Sequence, residues 1–123
     1  MQDYHQLDVW QRGMDYTVAL YKFSVNLPEE ERYNLTFQLR KAATSVPLNI
    51  AEGASSSTNA EFARFLGYAY RSLKEVVTCL ELCERLYTNL PGHPPVQLIE
   101  EGNRIAKMTR TLIDRVSPRN QHP

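Results

Sequence analysis

Glu75, Glu81 and Glu84 come nearest, in this 123-residue sequence, to a spacing that could do chemistry. Glu81 and Glu84 stand three apart on one side of a helical segment, with Glu75 upstream. Carboxylates at that interval can gather magnesium for hydrolysis of a nucleotide pyrophosphate bond. Lys74 and Arg85 stand beside them, however, and a solvated Glu/Arg helix face accounts for the same pattern. Magnesium-dependent release of pyrophosphate from a nucleotide separates the two readings.

The other reactive side chains converge less. His5, His93 and His122 fall near the start, in a proline-rich loop and in the tail, so the Glu-x-x-His spacing of di-metal bundles is absent. Cys79 and Cys83 lie four apart on a helix, where their side chains run side by side, which reads as two reduced core thiols. Neither Ser45 nor Ser72 has a neighbouring base in sequence, and no glycine-rich phosphate loop is present. The expectation is a non-catalytic protein with no metal, no cofactor and no small-molecule substrate.

Binding chemistry is better represented. Arg40 and Lys41, with Arg104, Lys107, Arg110 and Arg115, are the candidates for phosphate or partner contacts, because such contacts need clustered cations. With Arg119 included, five cations and one carboxylate leave residues 104–119 with a local charge of +4. The chain as a whole balances 14 basic against 14 acidic residues, so no global field draws it to nucleic acid or to an anionic membrane. No stretch approaches the roughly 20 apolar residues of a membrane span, and the start lacks a signal-peptide pattern. A cytoplasmic protein of one domain, residues 1–123, is expected, with a disordered tail from about residue 118 to 123.

The elements that must position these residues are helical. Taken at about 100° per residue, Leu35, Leu39, Ala42, Val46, Ile50 and Gly53 line one side of a helix. Gln38, Ser45, Asn49 and Glu52 run along a second line a quarter turn away, with Lys41 and Ser56. Most of that line bonds at short range, so it reads as a structural polar seam that meets a facing helix and the carbonyl left free by Pro47. Pro47 lies mid-helix, where it removes one donor and kinks the chain; both lines keep their phase across it, which favours a kink over a break.

Before this helix, Leu7 to about Asn26 carries two apolar lines, Leu7-Trp10-Met14-Val18-Tyr21-Val25 and Val9-Tyr16-Leu20-Phe23. One stripe suffices for a small bundle, so the surplus points to contact with another chain. Gly13 permits close approach by a neighbour. Leu27-Pro28 with Glu29 to Glu31 stops one helix and starts the next, the acidic run acting as a cap, and Asn34 offers a left-handed bend and a second cap. Thr58-Asn59-Ala60-Glu61 has capping-box spacing. A heptad seam then runs Phe62, Leu66, Ala69, Leu73, Val76, Leu80, Cys83, Tyr87 and Leu90, with Phe65, Cys79, Leu86, Tyr70 and Val77 flanking it. After the break at residues 91–95, a last helix covers about Val96 to Val116. Four amphipathic helices with short connections make an all-α, antiparallel up-down-up-down four-helix bundle with a kinked second helix.

The run Gln38-Leu39-Arg40-Lys41-Ala42-Ala43-Thr44-Ser45-Val46-Pro47-Leu48-Asn49-Ile50-Ala51-Glu52-Gly53 resembles the signature of a bacterial family. Its members were first met as proteins encoded by intervening sequences within 23S ribosomal RNA genes, and they include the accessory variability determinant (Avd) proteins of diversity-generating retroelements. Leu7-Asp8-Val9-Trp10-Gln11, Leu27-Pro28 with Glu31 and Tyr33, and Ser72-Leu73 with Glu75 and Leu80 match in the same order. Asn34 stands where family members often carry glycine. The resemblance implies a four-helix bundle assembled as a ring-shaped homopentamer, and a non-catalytic scaffold or adaptor that binds a reverse transcriptase and structured RNA through a basic ring. This neutral chain departs from that basic character, and the alternative is a protein-only interaction module without nucleic-acid binding.

Overall fold

A computed structural model describes residues 3–90 and 95–117; residues 91–94 of the expected break and the tail from residue 118, Arg119 included, lie outside them. Four α-helices follow in order: α1 (Asp8–Ser24), α2 (Leu35–Ala54), α3 (Asn59–Leu86) and α4 (Val96–Val116). Single 3-10 turns at Tyr4–Gln6 and Glu29–Glu31 precede α1 and α2. Each helix packs on two others, α2 on α1 and α3, α4 on α3 and α1, so that α1 and α3 lie across one diagonal and α2 and α4 across the other.

Side-chain contacts fix the directions. Arg40 meets Ser24 while Gly13 lies against Val46 and Ile50, so α2 runs back along α1. Ser45 meets Ser72, and Tyr87 meets Glu31, so α3 runs back along α2. Tyr70 sits under Arg110 while Val77 lies against Gly102, so α4 runs back along α3. The architecture is the antiparallel up-down-up-down bundle that the apolar spacing implies.

Burial follows the sequence lines closely. Leu35, Leu39, Ala42, Val46 and Ile50 are buried along α2, and Phe62, Leu66, Ala69, Leu73, Val76, Leu80 and Cys83 along α3. On α1 the line Val9-Tyr16-Leu20-Phe23 faces the core. At roughly 25 cal/mol per Å² of apolar surface, this shared core is the main stabilising term. Val77 and Cys79 are also buried within the same protomer, so those flanks of α3 are satisfied by its own bundle.

Three local details differ from expectation. Asn34 does not adopt a left-handed conformation: its φ is −123°, and its side chain makes no capping bond. Glu31 caps α2 instead, its carboxylate accepting the Leu35 N–H at 3.4 Å and the Tyr87 hydroxyl on its other oxygen. The α3 seam ends as helix at Leu86 and not at Leu90, because Tyr87 leaves the helical conformation and its side chain turns to Glu31. Thr58 does cap α3, accepting the Glu61 N–H at 3.1 Å, whereas the Glu61 carboxylate grips Arg64 with two bonds of 2.7 and 2.9 Å.

Candidate functional site

Helix α2 continues unbroken from Leu35 to Ala54 through Pro47, so the break reading is excluded. The proline nitrogen cannot donate to the Ala43 carbonyl four residues earlier. Thr17 of α1 supplies the missing donor: its hydroxyl lies 3.1 Å from the Ala43 oxygen and 2.7 Å from its own Gly13 carbonyl. Gly13 makes this possible, since a Cβ there would stand 3.3 Å from Val46 Cγ1 and 3.9 Å from the Pro47 nitrogen. Gly13 and Thr17, four apart on one face of α1, therefore cradle the proline turn of α2.

The polar seam is thereby corrected in part. Ser45 hydrogen-bonds across to Ser72 of α3 and to the Ala42 carbonyl at 3.0 Å, and Asn49 donates to the Ser45 carbonyl at 2.8 Å. Gln38 and Glu52 are exposed at either end of the line, and among the described residues their side chains make no hydrogen bond. Of the four, Ser45 alone reaches a facing helix, whereas the Asn49 bond stays within α2. The freed carbonyl belongs to Thr17, not to the seam.

The six basic candidates divide into two sets. Arg104, Lys107, Arg110 and Arg115 are exposed on α4; Arg110 approaches Asp114 at 3.9 Å and lies 5.8 Å from the Tyr70 ring, over which Lys74 also sits at 5.6 Å. Arg40 and Lys41 are on α2, diagonal to α4, and Arg40 is near the C-terminal end of α1 while Arg115 lines a cleft with Leu7 and Asp8 at its start. The two sets face different solvent.

Arg40 is anchored. Its Nε donates to the Ser24 hydroxyl at 2.8 Å, and its guanidinium lies 4.8 Å from the Tyr21 ring centre. Lys41 stands over Phe37 at 5.9 Å and Arg32 over Tyr33 at 5.0 Å. These three ring and cation pairs line an open groove of about 490 Å³ between the end of α1 and the start of α2, with Thr36 and Thr44.

The carboxylate hypothesis finds no constellation. Glu75 and Glu81 are exposed and Glu84 is half-buried, and among the described residues no three His, Cys, Asp or Glu side chains group as they would around a metal ion. Both cysteines are buried and unpaired, and burial pushes the Cys79 thiol up and that of Cys83 to about 12. Tyr16 donates to the Leu98 carbonyl at 2.7 Å, and burial, followed by the nearby Glu101 charge, raises its phenol well above the ordinary value.

The 23S rRNA-intervening sequence protein model matches residues 5–111. The chain belongs to that family. A crystal structure of a protein of unknown function from the S23 ribosomal protein family of Bacteroides thetaiotaomicron is similar in fold, with a TM-score of 0.74 at 24% identity, covering 85% of this chain and 97% of that one. No curated protein matches the chain.

What most distinguishes this 23S rRNA-intervening sequence protein is apolar surface left outside its bundle. On α1, Met14, Val18 and Tyr21 stay exposed, as does Val25 at its C-cap, Val18 by 54% and Val25 by 72%; Leu48 of α2 is exposed by 67%. The four on α1 and its C-cap are the later residues of the surplus apolar line seen in the sequence; its first two, Leu7 and Trp10, are half-buried against the protomer's own core. The outer face of α4 carries Arg104, Lys107, Arg110, Thr111 and Arg115 and exposes one large apolar residue, Val96 at its start. No helix among the described residues is long and apolar enough to cross a membrane.

Sequence reasoning missed Thr17 and the ring partners of the α2 cations. The Thr17 role had a legible signal: it lies four residues after the only glycine of α1, on the face that must meet a proline turn. Arg32 and Tyr33 follow a turn closed by local backbone hydrogen bonds, and Lys41 follows Phe37 by four residues, so these pairs had a local signal; only the Arg40 contact with Tyr21 comes from tertiary packing.

Proposed function

We propose that this chain is a non-catalytic adaptor that self-associates through the exposed apolar line of α1. The carrying observation is that Met14, Val18, Tyr21 and Val25, at helical spacing along α1 and its C-cap, stay exposed. A line of exposed apolar side chains of this kind is what marks a contact surface on a small protein. Leu82 and Leu86, four apart on α3, are a second exposed apolar pair. Two different patches on one protomer would pair head to tail, an arrangement that gives a ring where the rotation closes and an open filament where it does not. This supports the ring-shaped homopentamer that the resemblance implies.

In this reading α4 faces outward. A reverse transcriptase with its structured RNA, the partners implied by the resemblance, would meet the outer face of α4 through Arg104, Lys107 and Arg110. Native mass spectrometry tests assembly: a multiple of the 14.2 kDa chain is expected, and Val18→Glu should shift it to monomer. A monomer of the unaltered protein at micromolar concentration refutes the proposal. Salt-titrated binding of a structured RNA, with Arg104, Lys107 and Arg110 changed to Glu, tests the partner; binding without salt dependence counts against RNA.

A further inference from the structure

The groove between the end of α1 and the start of α2 has a composition that neither the bundle nor an assembly face requires. Three aromatic rings, Tyr21, Tyr33 and Phe37, each carry one cation within 6 Å, namely Arg40, Arg32 and Lys41. Tyr33 is 82% and Phe37 54% exposed, so neither ring is held by the core. None of the eight residues lining the groove is acidic. The nearest carboxylate contact is the exposed Glu29, 3.5 Å from Arg32, a weak pair in water.

We propose that this groove binds single-stranded nucleic acid, its bases stacking on Tyr33 and Phe37 and its phosphates meeting Arg32, Arg40 and Lys41. Aromatic faces beside cations are what a flexible strand uses, because every base has a π-face and every nucleotide a charge. An acidic peptide needs the cations but has no use for exposed ring faces. A free nucleotide needs enclosure on most of its surface, and this groove is open. A duplex keeps its bases stacked on each other, which leaves the rings idle.

Arg40 is pre-positioned for the task. Its Nε is held by Ser24, which fixes the guanidinium plane against Tyr21 and leaves the two terminal nitrogens for phosphate oxygens. Tyr21 belongs both to the groove and to the exposed apolar line of α1, so the two surfaces adjoin there. Met14 and Val18 lie outside the groove lining. The groove therefore sits beside the self-association line, and its ligand does not depend on that proposal.

The test is fluorescence anisotropy of a labelled mixed-sequence 12-nucleotide RNA at several salt concentrations, with competition by its duplex, by AMP and by polyglutamate. Tyr33→Ala and Phe37→Ala should each weaken binding roughly 5- to 100-fold. Lys41→Gln should lower the salt slope by about 0.7. Circular dichroism and native mass spectra of all three should match the unaltered protein, and Val18→Glu should change the mass without changing strand binding. Absence of binding at 50 mM salt overturns the proposal. So does binding that is unmoved by the two ring substitutions, lost only with Arg104→Gln and Lys107→Gln, or displaced equally well by the duplex, AMP or polyglutamate.

Discussion

Replacing Thr17 by valine removes one hydroxyl and almost no volume, which makes it a clean probe of how α2 tolerates its proline. The Thr17 proton is shared between the Gly13 carbonyl at 2.7 Å and the Ala43 carbonyl at 3.1 Å. Gly13 keeps the ordinary helical donor at residue 17, whereas Ala43 faces a proline and is itself buried. Leaving a buried carbonyl without a partner costs about 1–3 kcal/mol. Because the proton is divided, the lower part of that range applies, and Thr17→Val should cost about 1–1.5 kcal/mol.

Pro47→Ala restores a backbone N–H opposite the same carbonyl. In that background Thr17→Val should cost less than about 0.5 kcal/mol, a coupling energy near 1 kcal/mol between two residues on different helices. Urea unfolding followed by circular dichroism reads this as a midpoint shift of roughly 0.5 to 1 M for the single variant and little further shift in the double. Protein concentration must be held fixed, since self-association adds to apparent stability. Equal costs of Thr17→Val in both backgrounds would show that the hydroxyl does not replace the proline's missing donor.

Three further outcomes follow from the packing. Gly102→Ala places a Cβ into Tyr16 Oη and 2.8 Å from Val77 Cγ2; despite the better helix propensity of alanine it should destabilise by about 1–3 kcal/mol in thermal melts, and an unchanged melting temperature refutes the contact. Asn49→Leu should lower stability by about 1 kcal/mol, because Asn49 Nδ2 bonds the Ser45 carbonyl, while Gln38→Ala, at an exposed position, should be silent; equal losses refute the division of the seam. Alkaline pH should weaken the fold: burial raises the Cys83 thiol from its ordinary 9.0 to about 12, so the unfolded chain loses that proton first. Its contribution is complete below pH 9 and is lost towards pH 12 at up to about 1.4 kcal/mol per pH unit. A flat urea midpoint from pH 8 to 10.5, or rapid thiol labelling of the native protein at pH 8, contradicts this.

How much of this could be read from the chain depends on what each residue answers to. The core stripe of α2 and the heptad seam of α3 are local periodicities, and burial at Leu39, Ile50, Leu66 and Leu80 follows them because an amphipathic helix has one way to hide its apolar side. The surplus line of α1 was legible for the same reason, and Val18 and Val25 are exposed where that line predicts a second contact surface. The polar seam was legible only at Ser45, which meets Ser72 of α3; Asn49 bonds within its own helix and Gln38 and Glu52 stay exposed, because periodicity carries no distance to a neighbouring helix.

The basic residues show the limit most clearly. Arg40 and Arg110 look alike in sequence, each an arginine near a helix flank. One is tied to Ser24 across the α1/α2 groove, and the other, on the helix diagonally across from α2, lies over Tyr70 of α3. Their difference is set by the order in which antiparallel helices become neighbours, and that order is a property of the assembled bundle. A linear count of charge therefore joined cations that the fold separates, and it left out Arg32, which the turn at Glu29–Glu31 delivers to the same groove as Arg40 and Lys41. Function in a bundle of this kind is decided at the seams between neighbouring helices, where a residue's chemistry acquires partners that its own helix cannot supply.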